Sequence, residues 1–146
     1  MGVRTAGAAV RGAGVLISGA AVLALAAGWS ARADDARTAV FTQAQADQGQ
    51  DLYRANCASC HGGALNDGEF APSLKGVRFK AKWSTQPVGA LFGYIAANMP
   101  PGQAGVLGPD DHASLTAFLL QANGVPAGAS PLPTDDKALA GLNWPG

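Results

Sequence analysis

The sequence predicts an all-α domain of about three to four helices, and three observations carry that prediction. Apolar residues recur at spacings of three and four in three separate stretches, no run alternates convincingly as a strand would, and the two cysteines with the histidine after them share one helical face. The first stretch begins at Thr42, which reads as an N-cap with Gln45 as its capping-box partner, and Phe41 stands where it would staple against Ala46. A helix is expected from about Gln43 to Ser59, with Ala46, Gly49, Leu52, Tyr53, Asn56 and Cys57 along its inward stripe. Glycine inside a helix costs about 1 kcal/mol against alanine, so Gly49 implies that another backbone approaches there. Tyr53 reads as a core aromatic.

That stripe leads into Cys57-Ala58-Ser59-Cys60-His61, which contains the only two cysteines of the chain. Two thiols three residues apart with a histidine directly after the second read as the attachment site of a c-type haem, with His61 as proximal ligand to its iron. A disulfide or a thioredoxin-like redox pair is the competing reading. It calls for a strand before the motif, whereas the residues upstream are helix formers.

Beyond His61, Gly62, Gly63, Asn66, Asp67 and Gly68 mark an irregular loop. In Ala71-Pro72-Ser73-Leu74-Lys75-Gly76 the fixed proline is placed to turn its carbonyl toward Nδ1 of His61, which would set the tautomer and make the imidazole more electron-rich; a plain turn proline is the alternative. Lys75, Arg78, Lys80 and Lys82 then fall within eight residues. They read as a solvated loop, with partner steering or pairing to haem propionates as the other possibilities. Trp83 has two readings, as an indole donor to a propionate and as a packed aromatic.

Ser84 or Thr85 is expected to cap a second long helix with Pro87 in its first turn, and Val88, Leu91, Phe92 and Ile95 form its apolar face. The tandem prolines Pro100 and Pro101 end it. Met99, the only methionine besides Met1, lies there on a rigid proline-flanked loop rather than in the apolar stripe. It reads as the distal axial ligand, whose thioether would raise the reduction potential. Gly108-Pro109-Asp110-Asp111 starts a last helix running to about Asn123, stopped by Gly124 and Pro126, with Leu115, Phe118, Leu119 and Ala122 inward. Phe118 is the expected partner of Gly49 and Tyr53 in a tight crossing. His112, the one competing imidazole, sits in that helix's first turn, where a solvated histidine is the ordinary expectation. Pro126, Pro131, Pro133 and Pro145 make the remaining tail read as extended, either wrapping the domain or docking a subunit.

Residues 1–33 read as an export signal: Arg4 and Arg11 ahead of the apolar run Ala13 to Gly28, then Ala31-Arg32-Ala33 as the cleavage pattern before Asp34. An uncleaved membrane anchor is the rival, against which the run is short and rich in Ala and Gly. Three regions follow: 1–33 signal peptide, 34–124 haem domain, 125–146 proline-rich extension. The full chain carries ten basic and ten acidic side chains, and without its first 33 residues seven face ten, a mildly acidic balance with no basic stripe for nucleic acid. Export to the periplasm agrees with the haem reading, because attachment of this kind takes place outside the cytoplasmic membrane in bacteria.

With Cys57-Ala58-Ser59-Cys60-His61, Pro72-Ser73-Leu74, Met99-Pro100 and a final amphipathic helix in this order, residues 43–124 resemble the small monohaem class I cytochromes c. The resemblance implies haem c bound covalently at Cys57 and Cys60, His61 and Met99 as axial ligands, and a Pro72 carbonyl bonded to the histidine. The Ala117 to Gly124 ending is also similar to haem domains that accompany periplasmic quinoprotein dehydrogenases. The function expected is a one-electron carrier rather than an enzyme, moving electrons from a dehydrogenase or other donor to an oxidase or cytochrome acceptor, with membrane contact only through an uncleaved leader. A tightly bound haem subunit of a dehydrogenase is the alternative, and a haem enzyme or gas sensor with an open sixth site is a third.

Overall fold

A computed structural model describes Gly2 and residues 40–145. Apart from Gly2, the expected export segment 1–33 therefore lies outside the described residues. Six helices follow in order: α1 Gln43–Asn56, α2 Ala58–His61, α3 Val77–Trp83, α4 Val88–Asn98, α5 Pro109–Ala122 and α6 Asp136–Ala140. Among the described residues, extended pairing is limited to two isolated bridges, Thr42 with Gly128 and Pro87 with Asn143, and no helix is long and apolar enough to cross a membrane. The three long helices are those the periodicity marks out, and the fold is all-α.

α5 is the centre. Its residues from His112 to Leu120 are buried without interruption, so it has no solvent face along most of its length. On one side lies a cluster that includes Phe41, Ala46, Val88, Phe92, Leu120 and Leu139. On the other lies a second cluster built on Tyr53, Phe79, Trp83, Leu91, Ile95 and Phe118. Phe41 and Ala46 share the first cluster, as a hydrophobic staple requires.

α1 crosses α5 at Gly49. A Cβ there would run into the Ser114 carbonyl and stand 2.8 Å from the Phe118 Cβ. One turn along, the Tyr53 and Phe118 rings meet with centroids 5.4 Å apart. The glycine that weakens α1 locally is what lets two backbones pack this closely.

The structure departs from the sequence reading at several places. The first helix stops at Asn56, because Cys57 leaves helical geometry (φ −124°, ψ −31°) and the chain restarts as α2. Thr42 Oγ1 accepts from Gln45 N at 3.2 Å, but the Gln45 side chain does not close the capping box. It turns instead to the tail, donating to Leu132 O at 3.1 Å and accepting from Leu132 N at 2.7 Å. The basic stretch read as a loop is helix α3, with Phe79 and Trp83 buried one turn apart and the cations outward. Ser84 therefore ends α3 rather than capping α4, and Pro87 takes the cap of α4. The tail contains α6, and its Leu132 and Leu139 are 2 % and 1 % exposed, so it wraps the domain.

His112 is 5 % exposed, not solvated, because α5 is enclosed from its first turn onward. Its ring stands edge-on to Phe92 at 6.0 Å, and its Nε2 has no hydrogen-bond partner. Burial holds its pKa below the ordinary 6.5, against a smaller upward pull from Asp111.

Two outcomes are expected. Gly49→Ala adds a methyl against backbone that cannot yield; overpacking of about 1–3 kcal/mol outweighs the roughly 1 kcal/mol gain in helix propensity. Its melting temperature, followed by far-UV circular dichroism, falls by several degrees, whereas Gly93→Ala in α4, where a Cβ meets nothing within 4 Å, raises it slightly. For His112, the unfolded imidazole takes up a proton below about pH 6.5 while the folded one resists it. Its contribution is complete above that pH and is lost as pH falls toward the depressed folded value. Urea unfolding midpoints measured from pH 7 down to 5 should therefore drop more for the native protein than for His112→Leu, and parallel drops would place the imidazole in solvent.

Candidate functional site

The short helix α2 ends at His61, which is 8 % exposed, and Gly62 closes it with φ +84°. Only a residue without Cβ fits that position, since a methyl would strike Asp67 and the backbone of Gly68. Gly68 is equally constrained, because a Cβ there would strike the Cys60 carbonyl and lie 2.7 Å from the His61 Cα. The loop after the motif thus folds back directly on the motif's own backbone. Asp67 Oδ1 accepts from Ala64 N at 2.8 Å, and Tyr53 Oη donates to the Gly62 carbonyl at 2.5 Å, which ties the end of α2 to the α1–α5 crossing. Burial first, then the charges of Cys57 and Asp67, push the Tyr53 hydroxyl up to about 12, so it remains a donor.

Pro72 lies where the sequence reading puts it. His61 Nδ1 is 2.8 Å from the Pro72 carbonyl. A carbonyl only accepts, so Nδ1 carries the hydrogen, which in the neutral ring would leave the lone pair on Nε2. The proline segment is itself held, with Leu74 N donating to Leu65 O at 2.7 Å and Ser73 Oγ donating to Lys75 O at 2.7 Å. A residue that the sequence reading assigned only to the end of a helix also takes part: Asn123 bonds Leu74 and Gly76 from the far side. Asparagine just before a glycine announces a helix end, and nothing local announces partners more than forty residues away.

Cys57 and Cys60 are not bonded to each other; the first is half-buried and the second exposed. Burial, helped by the neighbouring Cys60, pushes the Cys57 thiol up to about 11. The motif follows a helix rather than the strand that a thioredoxin-like pair calls for. Met99 caps the end of α4, its N–H donating to Ile95 O at 2.9 Å. It packs against the same cluster as Cys57, Ala58 and Leu74, so thiol, thioether and the proline segment converge on one apolar mass. Trp83 belongs to that mass too, with its ring 6.3 Å from Phe79 and 5.3 Å from Tyr94. His112 lies against Phe92 of the other cluster, apart from this group.

The donor set fits a covalently bound haem. Two thiols and an oriented imidazole occupy one turn, the imidazole has its free lone pair on Nε2, and a thioether shares the adjoining apolar cluster.

The family described as cytochrome c oxidase, cbb3-type, subunit III matches residues 44–119, a span that contains Cys57, Cys60, His61, Pro72 and Met99. The cytochrome bc1 complex cytochrome c subunit of Corynebacterium diphtheriae is 32 % identical over 85 residues, covering 55 % of this chain and 28 % of that protein. The chain thus spans well under a third of this curated relative. No solved structure matches. The Cys57 to His61 motif within the matched span and the all-α architecture around it agree with these findings: the chain belongs to the c-type cytochrome family of cbb3-type oxidase subunit III, as a monohaem member of the electron-transfer class.

Proposed function

We propose that the protein is an exported one-electron carrier working through a single six-coordinate haem. The observation that carries this reading is the His61 Nδ1 to Pro72 carbonyl bond of 2.8 Å, which leaves Nε2 free on the same turn as both thiols. Cys57 and Cys60 tether the group covalently. His61 would ligate its iron through Nε2, with the bond to Pro72 fixing the ring and raising its basicity. Met99 would supply a thioether as the second protein ligand, which would keep substrate and oxygen from the metal. Trp83 serves as part of the apolar wall around the group. A haem held there supplies one reversible electron as its iron alternates between Fe(II) and Fe(III). The chain's own task is to keep both ligands in place in both states and to keep water from the metal.

Residues 1–33 act as a cleaved leader to the periplasm in this reading, so the mass of the mature protein should correspond to a start at Asp34. Redox proteins are the partners. A resident haem subunit is the second reading, favoured by the matched family and relative, which are described as a subunit of a cytochrome c oxidase and a subunit of a cytochrome bc1 complex. Purification from a native membrane extract separates the two: a carrier comes away as a monomer, a resident subunit stays with its complex.

The ligation is tested by absorption spectra of oxidised and reduced protein beside Met99→Ala. A low-spin native spectrum with the weak far-red sulfur-to-iron band is expected, and the variant should lose that band, turn high-spin and bind carbon monoxide. A native protein that is already high-spin would put an enzyme or sensor in place of the carrier.

A further inference from the structure

We propose that Asn123 is the positioning residue for His61: it locks, from the end of α5, the loop whose Pro72 carbonyl orients the imidazole. The inference rests on His61 being the iron ligand and names the residue that tunes it.

Helix α5 does not need this side chain in order to end. Gly124 (φ +95°) follows the cap, its N–H donates to Gln121 O at 2.9 Å, and Val125 N donates to Leu120 O at 3.1 Å. These are the two bonds of a Schellman motif, complete without any contribution from the Asn123 amide. Yet Asn123 is 5 % exposed and fully engaged. Its Nδ2 donates to Leu119 O at 2.8 Å within the helix and to Leu74 O at 2.9 Å across the fold, while its Oδ1 accepts from Gly76 N at 3.1 Å. With both N–H groups on carbonyls and the oxygen on an N–H, only one amide orientation is possible, and aspartate lacks the donors.

The loop is therefore gripped on both sides. Leu74 is bonded through its N–H to Leu65 O and through its carbonyl to Asn123, and Gly76 is bonded to Asn123 as well. Pro72 stands two residues before Leu74 and has no N–H with which to anchor itself. Its carbonyl holds its place beside Nδ1 only because the residues after it are fixed. Removing the amide leaves the Leu74 carbonyl and the Gly76 N–H without partners, and a loop that has lost such bonds opens more often. The imidazole then loses a constant acceptor at Nδ1 and becomes a weaker electron donor at Nε2.

The experiment uses the full haem-loaded protein with Asn123→Ala and Asn123→Asp, the second keeping near-identical shape in case the first folds poorly. Leu120→Ala is the control, since Leu120 is buried in the same helix within the first cluster and its side chain does not reach the loop. Solvent exchange of the His61 Nδ1 hydrogen in the reduced state is read by NMR, equally far below each melting midpoint, together with the reduction potential. Both Asn123 variants should exchange roughly tenfold faster with the far-red methionine band retained, and the uncharged Asn123→Ala should also shift the potential upward. Leu120→Ala should match the native protein on both readouts. Unchanged exchange and potential in the Asn123 variants, or an equal change in Leu120→Ala, overturns the positioning role. The native spectrum judges the ligation separately: its failure there overturns both proposals, whereas a normal native spectrum with unmoved variants overturns this one alone.

Discussion

The contact on which the rest of the molecule depends is the approach of α1 to the Ser114 carbonyl, made possible because residue 49 has no side chain. That crossing sets the separation of the two longest helices. It places Tyr53 against Phe118, and from there the Tyr53 hydroxyl reaches the Gly62 carbonyl at the end of the motif helix. The position of His61 is thus fixed from behind by helix packing and from the front by Pro72. A chain of this size has one core to work with, and here the elements that build the core also hold the ligand turn.

The basic segment shows how two sequence signals can compete. Lys75, Arg78, Lys80 and Lys82 draw attention to charge, while Phe79 and Trp83 carry the helical period. In the structure both are satisfied. The aromatics go inward, and the Lys82 ammonium lies 4.6 Å above the Trp83 ring and 4.7 Å above the Tyr94 ring. One of the four cations is therefore held in place by the aromatic cluster through a cation–π contact. The remaining charge faces solvent on a protein whose balance is otherwise acidic.

What the sequence makes legible is what is local or covalently patterned. The glycine at the helix crossing, the Phe41–Ala46 staple and the proline near His61 all depend on short spacings, and each lies where those spacings put it. What stays hidden depends on partners far along the chain. Gln45 fits a capping box by every local rule, yet its amide finds a better pair of partners in both polar groups of Leu132, 87 residues away. His112 follows two aspartates in a first turn, and its burial comes only from α5 being enclosed on all sides. Asn123 reads as helix punctuation, and its second function appears only once the proline loop lies against it.

The tail bears on how such a protein meets its partners. A docking arm must keep apolar surface free, and this tail does the opposite. Leu132 and Leu139 are buried in the first cluster, Leu142 O accepts from Val88 N at 2.8 Å, and Trp144 sets its ring 6.2 Å from Phe79. Trp144 packs against both clusters and so links the two halves of the core across α3 and α4. Its prolines suit this work, because proline-flanked chain loses little freedom when laid along a surface. Among the described residues, the large apolar side chains that remain exposed lie elsewhere, at Phe70 two residues before Pro72, at Val77 opening α3, at Tyr94 in α4, and at Val106 beyond Met99. Among the described residues, the apolar surface left for a partner lies mainly beside Pro72 and Met99 rather than on the tail. This is the arrangement a short electron path requires, and a tail folded into the core is compatible with a carrier that leaves its partner after each exchange.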